Sequence, residues 1–163
     1  KAARIAIKVN SLTDEPLCRS LAEASQAGVQ IDLIVRGSCI LPAGVKGQTE
    51  NVRVRSVIGR LLEHSRVYYF SIDGQESLWL ASADWMNRNM LRRVELAWPV
   101  TDPVLRRRIL DECLLAYLYD TKDAWLLQPD GSYQPAGQAE DGKARSALHS
   151  AQQHLMSRYG TRG

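Results

Sequence analysis

Short apolar runs flank one amphipathic stretch at the start of the chain, and this pattern predicts a strand, a helix and a second strand. Residues 4–9 alternate between apolar and polar as a strand does. Thr13 or Asp14 can cap the helix that follows, Gly28 can end it, and residues 29–35 form an apolar, β-branched run. A strand, a helix and a strand in this order indicate a βαβ unit with a parallel strand pair.

The remainder of the chain predicts further strands, one long helix and a terminal helix. Residues 37–51 lack periodicity and contain Pro and Gly, so we expect a mobile surface loop there. The Asp73-Gly74 pair predicts a hairpin turn between two strands. The expected strands are 52–57, 66–70, 78–82, 93–100 and 125–128, with a helical turn at 59–63 and a helix at 105–118. We therefore expect an α/β fold, a mixed sheet of about six or seven strands with helices on both faces.

Composition indicates an ordinary globular domain. The 163 residues suit one domain, 1–163, in which 130–163 form a linker and a terminal helix. Hydrophobic residues make up 45% and charged residues 24%, and the net charge of +3 says little about partners. Because the chain starts at Lys1 and enters a strand almost at once, we expect it to be an excised piece of a longer protein.

The cysteines and tryptophans exclude several classes of function. Three cysteines at wide, irregular spacing argue against a disulfide framework and a zinc site, and fit a reducing cytosol. No run is apolar and long enough to predict a transmembrane segment, and we expect no signal peptide. The tryptophans lie mostly in apolar runs, so we expect them to pack in the core and expect no nucleic-acid partner. They are Trp79, Trp85, Trp98 and Trp125.

Three residues combine a chemistry suited to phosphate with a promising position. Arg36 follows the second parallel strand, and open α/β sheets bind ligands beyond the carboxyl ends of their strands. His64 and Arg66 precede a strand and, two residues apart in an extended segment, point the same way. An imidazole can protonate a leaving oxygen or bind phosphate, and a guanidinium can grip phosphate oxygens. A purely structural, hydrogen-bonded role for His64 is the alternative.

Other polar residues surround this group. Seven arginines fall in the same region and predict an anionic ligand: Arg53, Arg55, Arg60, Arg66, Arg88, Arg92 and Arg93. Ser82 and Asp84 end the strand that pairs with the one after His64, where Asp84 can orient an imidazole or form a cap. Arg93 and Glu95 would share one face of a strand by its period of two, with a surface ion pair as the alternative.

Several kinds of site are not expected. His149 and His154 would lie on different faces of the terminal helix, which argues against a shared metal ion. No glycine-rich loop is followed by Lys and Ser or Thr, and no Gly-x-Ser-x-Gly elbow occurs.

The residues singled out above lie in strings that resemble the C-terminal domain of the bacterial type 1 polyphosphate kinases. That family has two phospholipase D-like domains in its C-terminal half, and this chain resembles the second over about residues 3–130, which implies a phospholipase D-like mixed sheet. The strings are IKVNSLTDEPL, GVQIDLIVRGSCILPAGV, NVRVRSVIGRLLEHSRVYYF, ASADWMNRN and RRVELAWPV.

Two departures separate the chain from phospholipase D itself. His64-Ser65-Arg66 has Arg where phospholipase D has Lys, and Ala81-Ser82-Ala83-Asp84 replaces Gly-Ser-x-Asn. The resemblance therefore implies a kinase part, in which the terminal phosphate of ATP reaches a growing polyphosphate chain through a phosphohistidine in the preceding domain. It implies that this nucleophile and the Mg²⁺ ligands lie outside the chain, so we assign no metal site here.

The resemblance also implies roles for individual residues. Arg36 would bind phosphate, and His64 would act as a catalytic residue that contacts phosphate or the leaving oxygen. Arg93 and Glu95 would lie beside the nucleotide. Arg66, Ser82 and Asp84 would support this group.

The implied partners are ATP, polyphosphate and the remaining kinase domains. The resemblance also implies that the full-length enzyme is a homo-oligomer and a phosphoprotein. The implied location is cytoplasmic, including the inner face of the membrane. We expect the isolated chain to be inactive. Two other functions stay open: a phospholipase D-like phosphodiesterase active as a homodimer, which pairs two His64 residues, and a non-catalytic polyanion-binding module.

Overall fold

A computed structural model describes residues 2–138 and 148–160. These residues form eight strands, and helices follow the first, fifth, sixth and eighth of them. The strands are β1 Ala3–Val9, β2 Gln30–Val35, β3 Val52–Val57, β4 Val67–Ile72, β5 Gln75–Ala81, β6 Ala97–Pro99, β7 Ala124–Leu127 and β8 Tyr133–Pro135. The helices are α1 Glu15–Gln26, α2 Asn87–Arg92, α3 Pro103–Ile109, a π-helical segment Leu110–Leu115, α4 Ala116–Leu118 and α5 Ala151–Tyr159.

All eight strands form one mixed sheet in the order β6-β5-β4-β1-β2-β3-β7-β8. The three central strands β1, β2 and β3 are parallel, with Val9 opposite Val35 at their carboxyl ends. The other neighbours pair in antiparallel fashion, including β4 with β1 and β5 with β4. The mixed α/β sheet expected from the sequence is confirmed, with one short strand, β8, that its pattern did not indicate.

Helices cover both faces of the sheet, as predicted. Side chains alternate along β1, so that Ile7 lies in the core beneath α1 while Ala6 faces the other core. The first core contains Cys18 and Leu21 of α1. The second contains Leu114, Ala116 and Tyr117 from the helical region after β6, and Ala151 from α5.

Local sequence explains the helix start and the hairpin. Asp14 is the N-cap of α1, and its carboxylate accepts a hydrogen bond from the Leu17 N–H at 3.1 Å. Asp73 and Gly74 both have positive φ, 49° and 81°, as the two central residues of a type I′ turn require. Both predictions are confirmed.

Two local predictions are wrong or incomplete, and two helical elements were not predicted. Residues 59–63 form no helical turn, because the main chain of Leu61 bonds to the side chain of Gln152 and not to its own segment. The strand expected at 93–100 is shorter than predicted and consists of β6 alone. Its partner β5 ends at Ala81, so a longer strand would have no residues to pair with. Helix α2 and the π-helical segment were also not indicated.

The loop at 37–51 and the tryptophans differ from expectation as well. Leu41, Ala43 and Thr49 are buried, so this loop packs into the core rather than lying only on the surface. Trp85 is in the core as predicted, whereas Trp98 and Trp125 are 48% and 44% exposed. In the terminal segment, Ala144 lies outside the described residues, and Leu148 precedes α5 rather than belonging to it. Among the described helices, none has the length and apolar character needed to cross a bilayer.

Candidate functional site

One edge of the sheet collects most of the residues predicted from the sequence. Strands β1 and β2 end there, and the antiparallel pairing of β4 brings Val67 opposite Lys8 of β1. Strand β5 ends at the same edge. Two connections therefore meet there: the entry segment, residues 58–66 between β3 and β4, and the exit segment, residues 82–86 between β5 and α2. The residues at this edge are Asn10, Arg36, His64, Arg66, Ser82, Asp84 and Glu95.

Arg66 and Asp84 form a two-pronged ion pair between the entry and exit segments. The Nε and Nη2 atoms of Arg66 donate to Oδ1 and Oδ2 of Asp84 at 3.0 and 3.1 Å. The Asn10 main-chain N–H also donates to Asp84 Oδ1, at 2.7 Å. Asp84 is buried, and such a forked pair is a strong, directional contact.

This pair changes the role assigned to Asp84. The sequence suggested that Asp84 orients an imidazole, but its oxygens bond to Arg66 and Asn10. Its influence on His64 runs through Arg66, whose Nη1 donates to the His64 carbonyl oxygen at 3.1 Å. Arg66 and Asp84 thus hold the main chain at His64 and form no hydrogen bond with its ring.

The charges of this pair stabilise each other. Burial raises the pKa of the Asp84 carboxyl, but the hydrogen bonds from Arg66 and from the Asn10 N–H outweigh it, and the pKa lies below its usual value. The hydrogen bond to Asp84 raises the pKa of Arg66. Both groups are therefore ionised at neutral pH.

Arg36 has a different environment, because only one end of its guanidinium is occupied. Its Nε donates to Asn10 Oδ1 at 3.2 Å, while its carbonyl oxygen accepts from Ser56 Oγ at 2.8 Å. Its two terminal nitrogens have no hydrogen-bond partner among the described residues, and the side chain is half-buried. Arg36 is thus oriented at one end and open at the other, which suits an anion ligand.

Asn10 links Arg36 to the Arg66–Asp84 pair, because it bonds to Arg36 through its side chain and to Asp84 through its main chain. Since Arg36 can only donate, the atom of Asn10 that faces it must be the oxygen, and the amide nitrogen points elsewhere. That Nδ2 atom is buried and has no hydrogen-bond partner among residues 2–138 and 148–160. A buried donor without a partner is costly in a folded protein, so this N–H would gain from any oxygen that reached it.

The His64 side chain is exposed, and its ring forms no hydrogen bond with the part of the chain that the structure describes. Its neighbour Glu63 is tightly held. Glu63 accepts from Lys8 Nζ at 2.6 Å, from Gln152 Nε2 at 2.7 Å and, in a short hydrogen bond, from the Tyr117 hydroxyl. The imidazole is therefore free to meet a ligand while the residue before it is fixed.

Electrostatics keep Glu63 charged. Burial raises the pKa of its carboxyl, but the Lys8 ammonium and the hydrogen bonds outweigh that effect, and the pKa lies below its usual value. Lys8 lies 3.3 Å from the centroid of the Tyr117 ring, so its charge also faces an aromatic surface. Burial lowers the pKa of Lys8, and the Glu63 carboxylate opposes that effect, so each group favours the charged form of the other.

Ser82, Arg93 and Glu95 lie beside this group but do not form the expected strand face. Arg93 and Glu95 precede β6, which begins at Ala97, so the prediction that they share a strand face is wrong. Glu95 accepts hydrogen bonds from Ser82 Oγ and from Asn89 Nδ2, the latter at 2.6 Å. The hydrogen bond from Ser82 is the main cause of a lowered Glu95 pKa. Arg93 is exposed.

The remaining histidines and the cysteines do not extend the site. His149 precedes α5 instead of lying on it, and its ring centroid is 5.5 Å from that of His154, so the prediction of separate faces is wrong. Even so, no three His, Cys, Asp or Glu side chains converge to hold a metal ion within the described residues. The three cysteines are free, and burial raises the pKa of each thiol.

Four contributors escaped the sequence analysis. Asn10 follows a parallel strand just as Arg36 does, so the strand-end rule that selected Arg36 applies to it equally. Lys8 and Glu63 carry no motif that marks them. Gln152 contacts Leu61 across 91 residues of sequence, and no local pattern announces such a contact.

Taken together, the edge presents Arg36 and His64 to a ligand, while Arg66 is neutralised by Asp84. Guanidinium and imidazole groups are donors that can bind phosphate oxygens. The arrangement therefore offers donors for an oxyanion at this edge.

Comparison with known proteins agrees with this geometry. The family model described as "Polyphosphate kinase C-terminal domain 2" matches residues 1–147. Polyphosphate kinase from Neisseria meningitidis serogroup B is 54% identical over 140 residues, which cover 86% of this chain and 20% of that protein. Polyphosphate kinase from Burkholderia ambifaria is 47% identical over 159 residues, 98% of this chain and 22% of that protein.

A solved structure gives the same result. The crystal structure of polyphosphate kinase from Porphyromonas gingivalis matches with a TM-score of 0.87 and 37% identity, over 97% of this chain and 23% of that chain. The chain thus spans about a fifth of the length of the curated relatives it matches, 20% and 22% for the two above. The family match covers far more than half of its residues, and the chain belongs to the polyphosphate kinase C-terminal domain 2 family.

Proposed function

We propose that this domain is the ATP- and polyphosphate-binding half of the catalytic site of a polyphosphate kinase. In this proposal the terminal phosphate of ATP moves to a growing polyphosphate chain through a phosphohistidine in a preceding domain. The observation that carries the proposal is the contrast between two arginines at one edge. Arg66 is neutralised by Asp84, whereas Arg36 keeps two terminal nitrogens free among the described residues.

The proposed roles follow from this division. Arg36 grips oxygens of the transferring phosphate and offsets the charge that develops on them. As the phosphohistidine forms, the bond from phosphorus to the leaving oxygen of ADP breaks, and His64 stabilises that oxygen by hydrogen bonding or proton donation. In the next step, the P–N bond breaks and a terminal oxygen of polyphosphate takes the phosphate. Arg66 and Asp84 fix the main chain that carries His64.

The nucleotide and magnesium are separate matters. We place Arg93 and Glu95 beside the nucleotide, with Ser82 holding the Glu95 carboxylate. In this proposal the ligands of magnesium lie in other parts of the kinase, as the resemblance to the family implies. The residues at the edge would therefore act on phosphate through their own donors and charges. The other kinase domains and a homo-oligomeric assembly would complete the site, and we expect the isolated chain to bind phosphate without turnover.

Calorimetric titration of the chain with tripolyphosphate and with ATP tests this proposal. We expect Arg36→Ala to weaken tripolyphosphate binding about tenfold, because a hydrogen bond to a charged group contributes about 1.5–3 kcal/mol and each 1.4 kcal/mol is a factor of ten. His64→Ala should weaken it several-fold. Arg53→Ala is the matched control, since it removes the same charge from β3, where Asp32 keeps Arg4 as a partner.

The outcomes separate the three candidate functions. Equal losses in Arg36→Ala and Arg53→Ala would indicate a diffuse polyanion-binding module and overturn the proposal. Hydrolysis of a phosphodiester without ATP by a dimer of this chain would instead establish the phosphodiesterase. Arg66 bears on this alternative already, because it occupies the position of the phospholipase D lysine and is bound to Asp84.

A further inference from the structure

Helix α5 lies beyond residues 1–147, which the family model matches, yet it contacts the entry segment directly. The contact is made by Gln152, the second residue of the helix. Its side chain is buried although glutamine is usually exposed. A buried amide needs partners for both of its ends, and the partners of Gln152 lie in the segment that leads to His64.

The Gln152 amide bonds to the main chain of Leu61 in both directions. Its Oε1 accepts from the Leu61 N–H at 2.8 Å, and its Nε2 donates to the Leu61 carbonyl oxygen at 2.8 Å. This pair of hydrogen bonds is the one that a neighbouring strand would supply. Since the entry segment has no such strand, Gln152 is its substitute.

The same amide also reaches the residue next to His64. Nε2 of Gln152 donates to Glu63 Oε1 at 2.7 Å, and Lys8 of β1 donates to the other carboxylate oxygen at 2.6 Å. Glu63 is therefore held from α5 on one side and from the central sheet on the other. Three residues downstream of Glu63, Arg66 holds the His64 carbonyl oxygen.

Gly59 shows how closely the amide fits. A Cβ on Gly59 would overlap the Gln152 amide oxygen, so a larger residue at this position would push the Gln152 amide out of its present place. The exposed side chains of Leu61 and Leu62 contribute little to holding the segment, as they are 51% and 72% exposed. Polar contacts from α5 thus carry much of the order in this segment.

We propose that Gln152 is a positioning residue for His64, and that α5 is thereby a functional part of the phosphate site. The proposal rests on the phosphate-binding role of His64 proposed above. Gln152 fixes Leu61 and Glu63, and these fix the main chain from which the imidazole projects. Without Gln152, the entry segment samples arrangements in which the imidazole is away from the bound phosphate.

Two substitutions of Gln152 and one of its neighbour test the proposal in this chain. Gln152→Leu removes the hydrogen bonds at similar size, and Gln152→Glu keeps the shape but sets a carboxylate against Glu63. Gln153→Leu is the matched control, because Gln153 is exposed on the same helix and its side chain bonds, among the described residues, only to Lys122, at 3.1 Å. Tripolyphosphate affinity and the NMR signals of the His64 ring are the readouts.

We expect Gln152→Leu to weaken tripolyphosphate binding about fivefold, as when one molecule in five retains the competent arrangement. Gln152→Glu should weaken it further at neutral pH, despite its unchanged shape. The Leu61 amide should exchange with solvent faster in both variants, and the His64 ring signals should respond less to tripolyphosphate. Gln153→Leu should match the wild type in all of these.

A double-mutant cycle separates positioning from a general effect on the fold. In the His64→Ala background, Gln152→Leu should cause no further loss of affinity, because its effect passes through His64. Gly59→Ala pushes on the same contact from the opposite side and should reproduce the loss without adding to that of Gln152→Leu. Additive losses in either cycle would overturn the proposal, as would wild-type affinity and ring signals in Gln152→Leu.

Failure of this inference can be told from failure of the proposed function. If Arg36→Ala and His64→Ala weaken binding while Gln152→Leu does not, the phosphate site stands and the role of α5 is refuted. If His64→Ala leaves the affinity unchanged, the role of His64 and the positioning role of Gln152 both fall.

Discussion

The entry and exit segments meet at the same edge of the sheet but are held there by different means. In the exit segment Ala83, Asp84 and Trp85 are all buried. The Trp85 carbonyl oxygen accepts from the Thr13 and Asp14 N–H groups at 2.8 and 3.0 Å, and the Trp85 N–H donates to the Ser11 carbonyl oxygen at 3.1 Å. This segment is tied into the core through its own main chain.

The entry segment is exposed at Ile58, Leu61, Leu62 and His64. Among the described residues, its main chain bonds to the main chain of neighbouring elements only at its two ends, Ile58 and Arg66. Between them, its order comes from side chains that reach it from elsewhere, namely Gln152, Lys8 and Tyr117, and from the Arg66 contact to the His64 carbonyl oxygen. The exit segment is thus the firmly packed part of this edge. His64, the residue that would contact phosphate, lies in the entry segment, whose conformation depends on side chains from other elements. Substitutions in the two segments should therefore affect stability and binding in opposite proportions.

The largest effect on stability is expected in the exit segment. Asp84→Ala should lower the free energy of unfolding by about 3 kcal/mol, because it leaves the Arg66 guanidinium and the Asn10 N–H without their hydrogen-bond acceptor. The value lies at the low end for a broken buried pair, since the Arg66 side chain is still 20% exposed. Urea denaturation followed by circular dichroism measures it.

Asp111→Ala is the control for this prediction. Asp111 pairs with Arg107 at 2.9 Å on an exposed helix surface, with side-chain exposures of 39% and 69%. Exposed ion pairs four residues apart on a helix contribute about 0.3–0.5 kcal/mol to the free energy of unfolding. If the two substitutions destabilised the protein equally, the exit segment would not be the firm half of the edge.

The second effect is a loss of stability in acid. Asp84 and Glu63 both have folded-state pKa values below their usual ones. As the pH falls, the unfolded chain takes up protons first, near pH ~4, so stability is full above that range and is lost as pH passes down through the folded pKa values. Denaturation in urea between neutral and acid pH should show this slope.

Asp84→Asn and Gln152→Leu assign the acid slope to the two segments. Asp84→Asn keeps the shape of the exit segment without the titrating group, so part of the slope should disappear. Gln152→Leu removes one hydrogen bond from Glu63, so the slope should become shallower by less. A slope unchanged in Asp84→Asn would mean that the Arg66 pair does not depress the Asp84 pKa.

Sequence patterns predicted the fold where local rules decide it. The β1-α1-β2 unit followed from alternation, an aspartate cap and a glycine stop, and the hairpin followed from Asp73-Gly74. The patterns failed where an element is short or is set by distant contacts. Strand β8 has three residues and α2 has six, too few for a periodic signal. The turn expected at 59–63 gave way to hydrogen bonds from Gln152.

The candidate site shows the same limit. Arg36 was found because it ends a parallel strand, and Asn10 meets the same criterion at the end of β1. Asp84 was found, but its partner was assigned wrongly, since the sequence cannot show that Arg66 is nearer to its oxygens than an imidazole. The contact of Gln152 with the entry segment could not be predicted, because it depends on where α5 packs.

The smallest effect on stability is expected for His64→Ala. The His64 side chain is exposed, and its imidazole has no hydrogen bond to the described residues, so the free energy of unfolding should change by less than about 0.5 kcal/mol. Equilibrium urea denaturation beside Asp84→Ala would place the two segments on one scale. A loss above about 1 kcal/mol would mean that the ring contributes to the fold, and a weaker affinity of His64→Ala for tripolyphosphate would then reflect a disturbed edge. A neutral result would assign that weaker affinity to the imidazole itself.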